Sequence, residues 1–274
     1  MTAGLIDFAL LVLVASAAFS LARWHGRHPG VLATHARAFW GRFRKRWSPH
    51  AYLTVHLVAG LTASVLAMWG FVALADAVVE RDAITQFDIA LANELHARAI
   101  PLGIRIARLL SDVGGPIAMT ILMIVVAIVL SIRRERLLLI TWLIAFVGGS
   151  VLDQTLKLSF RRPRPTLPNP VLIAHGFSFP SGHAMGSLIG FGLLAYLLAR
   201  LTRRPAWRVA LVAGTGALVT AIGVSRLYLG VHYFSDVVGG YAAGIVWLMV
   251  CVSGAEFTTA DRSSQGMTAH ASAA

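Results

Sequence analysis

Two stretches of this chain concentrate side chains suited to handling an anion. One begins at Lys157, passes through Arg161-Arg162-Pro163-Arg164-Pro165, and ends at Phe179-Pro180-Ser181-Gly182-His183. The other runs from Ser225-Arg226 through Tyr228 and His232 to Asp236. Arginine forks match phosphate oxygens two at a time, and lysine supplies a point charge. Lys157, Arg164 and Arg226 are therefore candidate phosphate ligands. Ser181, Gly182 and His183 stand where an apolar helical run opens. Unpaired N–H groups and the positive end of the helix dipole favour an anion at such a point. Gly182 also lets the backbone come close to a ligand. His232 and Asp236 are four residues apart and share one face of a helix. A carboxylate bonded to one ring nitrogen fixes the imidazole tautomer and leaves the other nitrogen as nucleophile or base. His183 is a second imidazole, available as a general acid. Nucleophile, orienting carboxylate, acid and oxyanion clamp are the working parts of a phosphoryl-transfer site.

Singly, these residues have plainer uses, since boundary histidines and arginines commonly meet lipid head groups; their coincidence on one side is what argues for chemistry. Asp153, one turn before Lys157, can position that lysine as an i,i+4 pair. Arg161 and Arg162 stay open between holding a lipid phosphate and anchoring their loop. No spacing supports a role for His175, while His56 and His96 read as structural. A two-metal mechanism needs several carboxylates or histidines at close quarters. Near the candidate pocket stand only Asp236, Asp153 and Asp112, and Asp236 is better used behind His232. The expectation is a reaction with no metal and no cofactor.

These residues must be held by elements built for lipid. Of 274 residues 57% are hydrophobic and 13% charged, about half the charged fraction of a soluble domain. The single cysteine, Cys251, excludes an intrachain disulfide. A net charge of +12 could suggest nucleic acid, but basic residues crowding cytoplasmic loops explain it better, and no nucleic-acid partner is expected. Apolar runs at Gly4–Ala22, Leu53–Val79, Pro116–Ile132, Leu137–Leu156, His183–Ala199, Val209–Ser225 and Phe234–Ser253 each approach the length of a span. The fold expected is an all-α polytopic membrane bundle of six core helices plus an extra N-terminal span. Its divisions are 1–52, an N-terminal span and basic loop; 53–254, the membrane domain; and 255–274, a disordered tail. Arginines cluster at 23–46, 133–136 and 200–208. Placing these clusters in the cytoplasm puts 80–115, 157–182 and 226–233 outside a plasma or inner membrane. Ala36–Trp47 reads as either a surface-lying amphipathic stretch or an ordinary basic loop. Segment 80–115 reads as an interfacial helix used for packing, with Phe87, Leu91 and Leu95 at helical spacing.

The motifs resemble the type 2 phosphatidic acid phosphatase superfamily, whose relatives include vanadium haloperoxidases and bacterial acid phosphatases. Its signature is Lys-x6-Arg-Pro, Pro-Ser-Gly-His and Ser-Arg-x5-His-x3-Asp. Here these are Lys157 to Arg164-Pro165, Pro180-Ser181-Gly182-His183, and Ser225-Arg226 to His232 and Asp236. The resemblance covers about residues 55–253. It implies that His232 attacks phosphorus, Asp236 orients it, and His183 protonates the leaving oxygen. It further implies that Lys157, Arg164 and Arg226 hold the phosphate, with Ser181 and Gly182 adding hydrogen bonds. The expected substrate is a phosphorylated lipid such as phosphatidate, phosphatidylglycerol phosphate or a polyprenyl pyrophosphate. Two alternatives are a phosphotransferase on the same scaffold and a transporter or binding protein with a phosphate site.

Overall fold

The computed structural model of the protein describes residues 49–202 and 204–272. The N-terminal span and the amphipathic stretch 36–47 lie outside the described residues. Residues 1–56 and 57–274 are separate units, and the helical bundle belongs to the second. The described elements are α1 (Pro49–Val79), α2 (Ala83–Ala97), α3 (Pro101–Val113), α4 (Pro116–Ile132), α5 (Arg136–Phe160), α6 (Gly182–Leu201), α7 (Pro205–Tyr228) and α8 (Phe234–Ser272), with no strand among them. Among the described residues six stretches are long and apolar enough to cross a membrane: Gly60–Val79, Pro101–Ile132, Arg136–Phe160, Gly182–Leu201, Pro205–Tyr228 and Phe234–Thr259. The six core spans expected from sequence are thus present.

Local sequence sets the breaks. Proline opens α3, α4 and α7 at the first helical position, where its missing N–H costs nothing and its fixed φ suits the helix. Gly114 and Gly115 separate α3 from α4 within one apolar stretch. Helix α5 ends on Arg161 in the left-handed region, φ 48°, and Pro163 and Pro165 prevent its resumption. The following loop, 161–181, folds back over the ends of the helices. His96 bonds to the Pro168 carbonyl (2.7 Å) and Arg108 donates to the Val171 carbonyl (2.9 Å).

Two indole N–H groups tie the bundle together. Trp142 donates to the Met123 carbonyl and Trp247 to the Ala145 carbonyl, both at 3.0 Å. Trp142, Phe179, Met185, Leu193 and Ile189 form the buried centre, against which α1 places Phe71. Helices α6 and α8 meet closely: a Cβ built on Gly240 would stand 2.6 Å from the Ser181 carbonyl oxygen. Small residues permit such contact in membranes, where lipid offers no hydrophobic drive for helix association. Large apolar side chains such as Trp69, Ile117 and Leu109 point outward.

Two expectations need correction. Segment 80–115 is not one packing helix but two helices, α2 and α3. Its apolar residues divide: Phe87 is exposed and stacks edge-on against Phe234, Leu91 and Leu95 are half-buried, and the buried residues of α2 are Asp88 and Ala92. In lipid, apolar side chains can face out and charged ones face the bundle interior. The tail expected to be disordered from 255 instead continues α8 to Ser272. The turn at the boundary is secured because Glu256 accepts hydrogen bonds from Tyr196 and Arg200 on α6.

Candidate active site

All three motifs converge at one end of the bundle: the C-terminal ends of α5 and α7 and the N-terminal ends of α6 and α8. A cavity of about 890 Å³ opens there, walled by Lys157, Arg164, Gly182, His183, Arg226 and His232. From these polar residues it extends along α4, α5 and α6 to Met119, Met123, Phe146 and Ile189. One end is therefore cationic and the other apolar.

His232 sits on the short turn between α7 and α8 and is 2% exposed. Gly230 makes that turn possible with φ +69°. The ring Nδ1 lies 3.3 Å from Asp236 Oδ2, and Nε2 lies 3.1 Å from Arg164 Nη1. A guanidinium can only donate. Nε2 therefore accepts, and Nδ1 carries the proton toward Asp236. That tautomer leaves the nucleophilic lone pair on the nitrogen at the cavity. Burial pushes the imidazole pKa down from 6.5 to about 4; Asp236 opposes this, and Arg164 and Arg226 add to it. His232 is thus neutral at neutral pH. His183, one residue into α6, lines the same cavity, with Arg226, His232, Lys157 and Arg164 as its neighbours.

The cations are each anchored from behind. Arg164 donates to the Val231 carbonyl (2.8 Å) and to the carbonyls of His175 and Gly176 (both 3.2 Å). Burial lowers its pKa, with Asp236 and Asp153 opposing. Arg226 donates to the Ser111 hydroxyl of α3, and its Nε has no partner. Lys157 pairs with Asp153, one turn earlier, as the spacing suggested. Gly182 is needed for space: a Cβ there would lie 2.8 Å from Lys157 Nζ.

Two residues of the motifs stand behind the wall rather than in it. Asp236 is fully buried beneath His232. Ser181 is also fully buried; its N–H donates to the Asp236 carbonyl (2.9 Å), and its Oγ has no partner. Ser225, by contrast, bonds its own helix at Ile222 (2.6 Å). Buried polar atoms are nearly always paired. Among the described residues Thr85 Oγ1, Ser181 Oγ, Arg226 Nε and Asp153 Oδ1 are buried without a partner; Arg226 and Asp153 line the cavity, which suits an anion bringing donors and acceptors of its own.

Sequence reasoning missed two contributors. Asp88 on α2 and Ser111 on α3 bond Arg162 and Arg226, respectively. A carboxylate amid the apolar face of a helix was the available signal for Asp88. Arg162, left open between lipid phosphate and loop anchor, is buried between Asp88 and Asp236 and does not line the cavity.

Known proteins are similar to parts of this chain. Residues 136–259 match the PAP2 superfamily. Phosphatidylglycerophosphatase B of Bacillus subtilis is 35% identical over 107 residues, 38% of this chain and 51% of that protein. Undecaprenyl-diphosphatase of Sulfolobus acidocaldarius is 33% identical over 125 residues, 44% of this chain and 56% of that protein. The chain thus spans about half the length of the curated relatives it matches. In fold it is similar to the crystal structure of a transmembrane PAP2-type phosphatidylglycerolphosphate phosphatase from Bacillus subtilis. The TM-score is 0.63, with 24% identity, 70% of this chain and 96% of that one covered.

Proposed function

We infer that the chain is a membrane-embedded hydrolase removing a terminal phosphate from a lipid phosphate or lipid diphosphate, a reading supported by the match of residues 136–259 to the PAP2 superfamily. The observation that carries this is the His232 tautomer: a neutral imidazole with its lone pair at a cavity walled by Lys157, Arg164 and Arg226. The apolar arm of the same cavity suits a substrate with a long tail.

In the first step Nε2 of His232 attacks phosphorus. The bond from phosphorus to the leaving oxygen breaks, and that oxygen takes a proton from His183. The positive charge on the His232 ring is balanced by Asp236, and the cations stabilise the equatorial oxygens. In the second step His183, now neutral, takes a proton from water as the water oxygen attacks phosphorus. The Nε2–phosphorus bond breaks, orthophosphate leaves, and His183 is protonated again. No step calls on a metal ion: Asp236 is committed to His232 and Arg162, and one oxygen of Asp153 to Lys157. Activity should therefore survive EDTA, and vanadate should inhibit.

Arg133, Arg134, Arg136, Arg200, Arg204 and Arg208 lie at the end of the bundle opposite the site. This distribution supports a cytoplasmic basic end and a site facing out of a plasma or inner membrane. Labelling positions in 161–181 from outside intact cells would test it; labelling only after permeabilisation would reverse the orientation.

The decisive test is phosphate release by the purified protein in detergent, across phosphatidate, phosphatidylglycerol phosphate and a polyprenyl diphosphate. His232→Ala and His183→Ala should retain the fold. His232→Ala should lose at least about 10⁴-fold in kcat and His183→Ala about 10²–10⁴-fold. Full activity in both variants would overturn the assignment.

A further inference from the structure

We propose that Asp88 and Arg162 are positioning residues for the nucleophile: with Asp236 they form a carboxylate–guanidinium–carboxylate relay that holds His232 and its counter-charge in place. The proposal rests on His232 being the nucleophile.

The relay is closed and dry. Asp88, Ser235 and Asp236 are fully buried, and Arg162 is 8% exposed. Arg162 Nη2 donates to Asp88 Oδ2 (2.8 Å), and Nη1 donates to Asp236 Oδ1 (2.6 Å) and Ser235 Oγ (2.7 Å). The Ser235 N–H donates to Asp88 Oδ1 (3.0 Å), and its hydroxyl donates to the other Asp88 oxygen. Asp236 divides its oxygens: Oδ1 serves Arg162, and Oδ2 accepts from Tyr233 N–H (2.8 Å) and faces His232 Nδ1 (3.3 Å). The guanidinium also lies 4.4 Å from the centre of the Tyr233 ring. Three separate chain segments thus meet on one guanidinium: α2, the loop after α5, and the start of α8.

Charge explains why a second carboxylate is useful. Arg162 and Asp236 alone would cancel, leaving nothing to balance the positive charge that develops on the His232 ring when Nε2 bonds phosphorus. With Asp88 shared on the guanidinium, the buried group carries one net negative charge while His232 is neutral. That charge is fixed in place before the reaction, which is where electrostatic stabilisation is most effective. Acting through Arg162, Asp88 can tune Asp236 without entering the cavity. Neither Asp88 nor Arg162 lines the cavity, so neither contacts the phosphate in this arrangement.

The test uses the full chain in detergent, comparing Asp88→Asn, Asp88→Glu and Arg162→Lys with the parent. Readouts are kcat, KM, thermal midpoint and the pH midpoint of His232 by imidazole NMR. The groups facing His232 are Asp236 from α8, Arg226 from α7, His183 from α6 and Arg164 from the loop; all are unchanged in these variants. Asp88→Asn should lower kcat by about 10²-fold, leave KM within about twofold, and move the His232 midpoint to lower pH. Asp88→Glu should recover part of kcat. Arg162→Lys keeps the charge but cannot bridge both carboxylates, and should lose kcat with KM unchanged. Parent-like kcat in Asp88→Asn overturns the relay, as does a loss of kcat with an unmoved His232 midpoint. Should Asp88→Asn not fold, Arg162→Lys decides on the same criterion of kcat against KM. His232→Ala separates the two readings. If it is inactive while Asp88→Asn behaves as the parent, only the relay fails; if it is active, the nucleophile assignment fails and the relay with it.

Discussion

Arg162 and Arg164 are two residues apart, separated by one proline, and do opposite things. Arg162 points into a sealed cluster with a carboxylate on either side. Arg164 points into the cavity, where it borrows the lone pair of His232 and three backbone carbonyls. One guanidinium has its charge cancelled more than once over, and the other has no carboxylate within its hydrogen bonds. The lesson is that an arginine's role in such a loop follows from what the chain packs behind it. A guanidinium backed by carbonyls keeps its charge available for a ligand; one backed by carboxylates becomes scaffold.

Replacing each arginine by lysine is the sharpest way to break the contrast. Arg164→Lys removes a bidentate phosphate donor at a half-buried position and should lower kcat/KM by about 10²-fold, with KM rising. The same exchange at Arg162 should leave KM alone. Equal KM effects at both positions would erase the distinction. A smaller effect concerns proton affinity on the cavity side. In the free protein His232 should titrate near pH 4, not near 6.5, when followed by imidazole NMR. The sign follows from burial: the unfolded chain takes up this proton below about 6.5 and the folded chain only near 4. The neutral nucleophile therefore persists as pH falls through 6.5 and is lost on approach to 4, and the stability this histidine contributes declines over the same window. The smallest effect belongs to Ser181, whose Oγ has no partner within the protein. Ser181→Ala should cost about tenfold in kcat/KM, one neutral hydrogen bond's worth, with no loss of thermal stability; a destabilised variant would assign that hydroxyl to the fold.

How much of this was legible beforehand differs between the two arginines. Residues that touch the cavity sit in short, spaced motifs, and chemistry constrains both their type and their separation. Lys157, Arg164, His183, Arg226 and His232 are accordingly found together on one wall. The spans were legible as well, because hydropathy reports directly on lipid. The support behind the wall was not. Asp88 lies 74 positions from Arg162 and 147 from Ser235, so no local spacing connects them. On its helix the buried carboxylate adjoins an exposed Phe87, and helical spacing of apolar residues alone does not single out the face that turns inward. Ser111 escaped for the same reason: it becomes meaningful only when α3 lies against the end of α7. The end of α8 was misjudged because polar composition after 255 argues for solvent but not against helix, and Tyr196 and Arg200 hold Glu256 in register.

If the proposed function holds, the bond between Arg164 Nη1 and His232 Nε2 latches the site until a phosphate arrives. A lone pair that accepts a hydrogen bond is not free to form a bond to phosphorus. On that reading the arriving phosphate draws the guanidinium onto its own oxygens, and in doing so uncovers the nitrogen proposed to attack it. Arming and binding are then a single event.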